Sequence, residues 1–524
     1  PLHPCLAIFN EPCYNINLVL HTYFARKERE TAMKNAVSSA ERGKRLLMWV
    51  CVAALVMSAL PLYAVSFYNH PYYDDYGFSA DTHRAWVETG SLSQVLKTAV
   101  SSSQSVRQTW QGTYTGTFLS NIQPGVFSES LYFIGTFILL SAFILCFGYF
   151  FHAAFGGMFG LDRRETVILS CLSLTLLLQF MPDPGEAFYW FNGGIGNTFV
   201  YSLLALSFGL SLGLARARSG AKAALLTAAL ALCMVLLGGG SYGGGLFGLC
   251  AYALITLWLF LKKHMRKWHF LALWTLFLIC FFYSMSAPRN AVRAGIIGYQ
   301  PSAVRAVAQA LYQGVAQIGG CLRLPLLAVS ALAAPFLYRA ARRSAFRFKH
   351  PWLLLGLMVC LYCTQFVPPL YSIASIGDGR IVNTYFQSFV LMWFISRRTQ
   401  EPGEPFQRAK RGLLLACACA LLVGCLGYKR PEDKLYGVQN MAGVSAALSI
   451  VTGEAAQYDR EMKARETLLN DASRPDITLS PLSAVPPVFM GDLLTPGAAE
   501  DVRPALCGYY GKRSIAIAGK EEAP

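Results

Sequence analysis

Five short polar segments hold most of the residues in this chain that could do chemistry. They are Asp74-Asp75-Tyr76, Trp110-Gln111-Gly112-Thr113-Tyr114-Thr115-Gly116, Glu186-Ala187-Phe188-Tyr189-Trp190-Phe191-Asn192-Gly193, Ala287-Pro288-Arg289-Asn290-Ala291-Val292-Arg293 and Gly377-Asp378-Gly379-Arg380-Ile381-Val382-Asn383. Adjacent carboxylates can act as a base toward a hydroxyl and titrate as a coupled pair. With a phosphate they could also hold Mg2+ or Mn2+. Guanidinium groups such as Arg289, Arg293 and Arg380 suit phosphate. A cavity that gathered these groups with aromatic side chains would suit a sugar held by stacking and a phosphate held by arginine.

Plainer readings compete for each residue. Asp74 and Asp75 could cap a loop or bind a structural arginine. Arg293 and Arg380 could pair with lipid headgroups or with those aspartates. Tyr189 and Trp190 could be aromatics of the membrane interface. Glu186 reads as solvated, and His83 and His152 as structural or exposed. No cluster has metal-ligand spacing.

The elements that must position these segments are membrane helices. The chain has 524 residues, 54% hydrophobic and 14% charged, against roughly 25% charged in soluble domains. Charge-free apolar runs recur near the length that crosses a bilayer. About eleven spans are expected: 46–68, 131–151, 166–181, 197–214, 223–238, 245–261, 269–286, 321–338, 351–368, 381–396 and 412–427. The fold class is therefore an all-α polytopic membrane protein. The net charge of +16 does not point to nucleic acid, because the basic residues lie in short clusters between apolar runs. That is the signature of membrane topology. Arg42/Lys44/Arg45, Arg163/Arg164, Arg216/Arg218/Lys222, Lys262/Lys263/Arg266/Lys267, Arg339/Arg342/Arg343/Arg347/Lys349 and Arg397/Arg398/Arg408/Lys410/Arg411 all fall on one side, whereas the loops 182–196 and 239–244 carry no lysine or arginine. The N-terminus is expected in the cytoplasm and the tail from 428 outside. All five polar segments then lie toward the outer surface.

The first span, 46–68, has no charged residue, and His70-Pro71 follows it. Asp74 and Asp75 are thus expected just past a helix C-terminus, where each acid is unfavourable by about 0.3–1 kcal/mol. The exterior loop 69–130 holds a helical segment from Ala80 to Ser105 suited to the interface, and Ser302–Ile318 could be a second one. The tract Gly238-Gly239-Gly240-Ser241-Tyr242-Gly243-Gly244-Gly245 lacks the Lys-Ser/Thr of a nucleotide loop and reads as close backbone approach or flexibility. Most of the fifteen cysteines lie in apolar runs, where cysteine is a small hydrophobe. The Cys360/Cys363 pair reads as helix packing.

Three regions are expected. Residues 1–32 read as an upstream or non-native extension, because Met33-Lys34-Asn35 and the basic residues after it look like an ordinary bacterial start. Residues 33–427 form the membrane domain. Residues 428–524 form a small exterior α+β segment, with a helical stretch over 442–469 and strands near Ile477–Leu479 and Ser514–Ala518. The spans contain almost no Asp, Glu, Lys or Arg, which argues against an ion-coupled transporter.

The Asp-Asp-Tyr after the first span, the Phe-Tyr-Trp-Phe-Asn-Gly-Gly loop, the Ala-Pro-Arg-Asn-Ala-Val-Arg segment and the late Gly-Asp-Gly-Arg occur in an order that resembles an uncharacterised family of bacterial multipass proteins. That family is similar to the GT-C glycosyltransferases. The closing Cys507-Gly508-Tyr509-Tyr510-Gly511-Lys512-Arg513-Ser514-Ile515 also resembles its C-terminal signature. The chain departs from the pattern at Arg289, where related chains have glycine, and at Thr113, where they have arginine.

The resemblance implies a GT-C-like enzyme in the bacterial cytoplasmic membrane. It would move a sugar, with inversion, from a polyprenyl-phosphate donor to an envelope glycan or lipid acceptor on the outer face. It places the catalytic acid at Asp74 or Asp75. The departing lipid phosphate needs cations, for which Arg293 and Arg380 come first and Arg289 third. Tyr76, Trp110, Tyr189, Trp190, Asn192 and Asn197 would contact sugar or acceptor. The alternatives are a lipid-linked-sugar flippase and a non-catalytic envelope scaffold.

Overall fold

The computed structural model describes residues 13–288, 290, 301–343, 351–396, 410–430, 433–494 and 499–518. Arg289 and Arg293 lie outside the described residues. Helix α1 runs from Cys13 to Val65 and passes through Met33 without a break. A single 3-10 turn, Ser66–Tyr68, ends it. Then α2 begins at Asp74 and runs to Thr89, with both aspartates in its first turn. The acids follow the first span as expected, and the structure adds what the sequence did not show: they also open a new helix. Acids in the first turn favour the helix dipole, so the cost inferred for them disappears.

Among the described residues, seven helical stretches are long and apolar enough to cross a membrane: Glu41–Tyr68, Glu129–Met158, Phe191–Arg216, Gly220–Gly238, Tyr242–Leu261, Lys267–Met285 and Trp352–Ile373. The pair Ala303–Cys321 and Leu324–Leu337 is bent by 74° and would make an eighth if it forms one broken span. The chain is a multipass membrane protein. Named in order, the helices before this bent pair are α3 (Leu92–Thr109), α4 (Tyr114–Ser120), α5 (Phe133–His152), α6 (Arg163–Gln179), α7 (Phe191–Gly196), α8 (Thr198–Arg216), α9 (Gly220–Gly238), α10 (Tyr242–Leu261) and α11 (Lys267–Met285). The bent pair is α12 (Ala303–Cys321) and α13 (Leu324–Arg343), and α14 (Pro351–Thr364), α15 (Val367–Ile373), α16 (Gly379–Ser396) and α17 (Lys410–Leu426) follow. The expected spans 166–181, 381–396 and 412–427 fall on α6, α16 and α17. None of these meets both the length and the apolarity of a full span among the described residues.

The two largest apolar clusters among the described residues hold most of the bundle. One gathers α1, α5, α6, α16 and the segment after 428, with Leu62, Leu139, Phe147, Leu177 and Val390 fully buried. The other joins α8 to α11 through Leu204, Leu237, Tyr252 and Phe277. The glycine tract serves this second core by close approach. A Cβ on Gly238 would lie 2.4 Å from the Cys280 side chain, and one on Gly239 would lie 2.4 Å from the Tyr114 ring. At the far end from the aspartates, Lys44 binds Asp162 at 3.1 Å and Glu165 at 3.2 Å, tying α1 to the start of α6.

The segment after 428 is built on the bundle. Helix α18 (Ala442–Val451) is apolar and packs along α1. The Gly443 amide donates to Gln179 Oε1 at 3.0 Å, and Gln179 Nε2 donates to Ser58 Oγ at 2.8 Å. Gly453, at φ +79°, separates α18 from α19 (Glu454–Asn470). Strands β1 (Asp476–Leu479) and β2 (Ser514–Ile517) pair in parallel, Ile477 opposite Ile515. Between them, α20 (Ala499–Tyr510) packs on α2.

Candidate functional site

Asp74 and Asp75 are neighbours in sequence but face different surroundings. Asp75 is 1% exposed. Its Oδ2 accepts the Tyr72 amide at 3.0 Å and the Tyr132 hydroxyl, and its Oδ1 accepts the Asn192 amide at 3.0 Å. The Asp75 carboxyl therefore pins the turn before α2 to the start of α5 and of α7. Burial pushes its pKa up to about 7, although these donors pull it down and nearby Asp74 adds to the rise. The network can serve both protonation states. Ionised Asp75 accepts from Tyr132. Protonated Asp75 can donate to the Tyr132 oxygen, whose hydrogen then turns to the Tyr189 carbonyl 3.2 Å away.

Asp74 instead lines a cavity of about 630 Å3 at this end of the helices. The residue before it, Tyr73, sits at φ +47° and also lines the cavity. A positive φ is uncommon for a residue with a Cβ and marks a held, strained turn. The Asn192 side chain donates to Asp74 Oδ2 at 3.2 Å and accepts from Ser120 Oγ at 2.6 Å. With its amide on Asp75, Asn192 couples the two acids.

Arg380 and Trp190 also line this cavity. The guanidinium lies 5.0 Å from the Trp190 ring centroid, a cation–π geometry. Arg380 also meets two carboxylates, Asp378 at 3.0 Å and Glu186 at 3.9 Å. Glu186 corrects its expected solvation: it is mostly covered, and its carboxylate accepts the Arg380 amide. Burial, reinforced by Asp183 and opposed by Arg380, pushes its pKa up to about 7. Trp190 is 4% exposed, and its indole nitrogen has no hydrogen-bond partner among the described residues.

The structure sorts the other expected contacts. Trp110, Asn192 and Asn197 line the cavity with Trp190. Tyr189 does not: it is buried, and its hydroxyl donates to the Leu62 carbonyl at 2.8 Å. Tyr76 is buried on the other side of α2, against Tyr509 and Tyr510. The Trp110–Gly116 loop is fixed from below. The Tyr242 hydroxyl receives the Gly112 amide at 3.1 Å and lies 3.1 Å from Asn290 Oδ1, and Ser284 Oγ donates to the Gly112 carbonyl at 2.8 Å.

Sequence reasoning missed several walls of the cavity: Ser241 and Gly243 at the start of α10, Pro368 and Tyr371 on α15, Thr384 on α16, and Val502 and Ala505 on α20. The glycine tract was a usable signal, because only small residues let Tyr242 and its neighbours reach the loop. Nothing local in the sequence marks α20.

The acids do not converge on a single ion site. Asp75 has both oxygens engaged by three donors, and among the described residues no group of three His, Cys, Asp or Glu side chains could hold a metal. A divalent ion gripped by the Asp74-Asp75 pair does not fit this arrangement. Comparisons with protein-family models, with curated proteins and with solved structures found no match.

Proposed function

We propose that the chain is a GT-C-like inverting glycosyltransferase of the bacterial cytoplasmic membrane. It takes a sugar from a polyprenyl-phosphate donor and gives it to an envelope glycan or lipid acceptor. The observation that carries this reading is the placement of Asp74 and the Arg380–Trp190 pair in one cavity at the helix ends. The exposed side chains of Trp110, Met285 and Tyr371 also contribute to the cavity lining. Apolar groups there suit a substrate that stays anchored in lipid.

In this reading Asp74 is the base and Asp75 its structural support. The acceptor oxygen forms a bond to the anomeric carbon while the bond from that carbon to the phosphate oxygen breaks. The acceptor proton passes to the Asp74 carboxylate. The electron pair leaves on the lipid phosphate, where Arg380 offsets the charge. Trp190 supports the sugar face, and Asn192 holds Asp74 in register. The finer architecture belongs to the same proposal: α6, α16 and α17 complete about eleven crossings, and the segment from 428 lies outside with the cavity. The alternation of basic clusters along the chain supports this orientation.

The test is sugar transfer from a radiolabelled polyprenyl-phosphate sugar in proteoliposomes. Asp74→Asn should lower transfer by about 10²–10⁴-fold and leave the protein inserted and folded. Full transfer by that variant would remove Asp74 from the chemistry. Lipid translocation without any transfer would replace the enzyme with a flippase.

A further inference from the structure

The segment expected as one interfacial helix is two helices, and only the second has an uncovered apolar face. Gly90, at φ +60°, ends α2, and Ser91 caps α3 by accepting the Gln94 amide at 3.4 Å. Along α3, Val95 and Ala99 are fully buried. Leu92, Leu96 and Val100, spaced four apart, are exposed and line one shallow groove with Lys97. Residues four apart share a helix face, so α3 has one apolar face in the protein and a second facing out.

The anchoring of α3 identifies what covers that face. Near its C-terminal end, Arg107 donates to the Tyr283 carbonyl and to Ser286 Oγ, both at 3.0 Å, and lies 4.3 Å from the centre of the Tyr283 ring. Tyr283 and its neighbour Phe282 are exposed residues at the end of the membrane-crossing stretch Lys267–Met285. The helix that carries the exposed stripe is thus tied, through Arg107, to the exposed end of that membrane-crossing stretch. Exposed Trp110 closes the helix, as aromatics do at the membrane interface. Residues 92–109 contain Lys97 and Arg107 and no acid.

We propose that α3 lies in the plane of the membrane, with Leu92, Leu96 and Val100 inserted into the leaflet at the cavity end of the bundle. The occupant of the face is phospholipid, whatever reaction the cavity carries out. The helix is an in-plane anchor that holds the cavity mouth at headgroup level.

Photolabelling tests this without any activity assay. The full-length protein is reconstituted in phosphatidylethanolamine/phosphatidylglycerol vesicles containing a phospholipid with a diazirine in its acyl chain, and labelled peptides are mapped by mass spectrometry. Label is expected within residues 92–100 as well as on the 267–285 span. Changing Leu92, Leu96 and Val100 together to Gln should cut the 92–100 label by about tenfold and leave the 267–285 label intact. Label on 267–285 with none on 92–100 in the wild-type protein would overturn the proposal. So would label on 92–100 that the triple variant does not reduce while 267–285 stays labelled. A single Leu96→Gln change gives a milder probe: a partial fall supports insertion, and no change opposes it.

Discussion

A carboxylate enclosed by three donors and a carboxylate facing a cavity should respond differently to the same substitution. Asp75→Asn puts an NH2 where either the Tyr72 amide or the Asn192 amide needs an acceptor. A mispaired buried donor costs about 1–3 kcal/mol, so thermal unfolding in detergent should move down further for Asp75→Asn than for Asp74→Asn. The pH dependence has a defined sign. Burial raises folded Asp75 from 3.8 to about 7, so between those values the native protein holds the proton that the unfolded chain has lost. The contribution is fully present below the unfolded value and is lost as pH rises through about 7. Wild-type stability should therefore fall across that window, and the Asp75→Asn profile should be flatter there. Equal slopes would count against the assignment. The sequence could not separate the two acids, because adjacency says nothing about depth. It did mark Trp110, Trp190, Asn192, Asn197 and Arg380 as groups worth placing, and these line the cavity.

At the scale of elements, apolar runs made most of the membrane helices visible, since a bilayer needs long charge-free stretches. Breaks were harder to read. The joint between α2 and α3 was written as Gly90-Ser91, a helix stop followed by a helix start, inside a stretch whose mixed apolar spacing looked continuous. The start of α2 was hidden because Asp74 followed a span so closely. Close backbone approach was legible as glycine but not as partners. Gly112 makes the point testable. A Cβ there would stand 1.9 Å from the Ser284 carbonyl oxygen, so Gly112→Ala must displace the loop that carries Trp110 or the end of α11. Gly90 has open space at φ +60°, so Gly90→Ala should cost only the backbone term of about 1 kcal/mol. Melting should show Gly112→Ala as the more destabilised of the two, and a reversed order would contradict the packing.

For the whole molecule, the segment after 428 is part of the site's construction. Asp459 on α19 bonds His70 at 3.0 Å, and the Tyr509 hydroxyl donates to the Gly125 carbonyl at 3.1 Å. Val502 and Ala505 form part of the cavity wall. Stopping the chain before 499 should therefore leave a protein that inserts and keeps its membrane helices but transfers no sugar. Retained transfer by that truncation would detach α20 from the site. These long-range contacts were not legible in the sequence, because docking of a polar tail leaves no periodic trace. The carboxylates around Arg380 carry one more consequence. Glu186 is held near neutrality by burial and by Asp183, and Arg380 is the cation that keeps its charge tolerable. A phosphate that engages Arg380 takes that cation away and brings a like charge close, so Glu186 should bind a proton as the ligand arrives. In the proposed reaction, donor binding would then be an exchange in which one anion enters and another is neutralised. Affinity should weaken as pH rises past about 7, and calorimetry of a polyprenyl-phosphate sugar, a diester with no proton of its own to exchange in this range, should register net proton uptake in buffers of different ionisation enthalpy that Glu186→Gln abolishes.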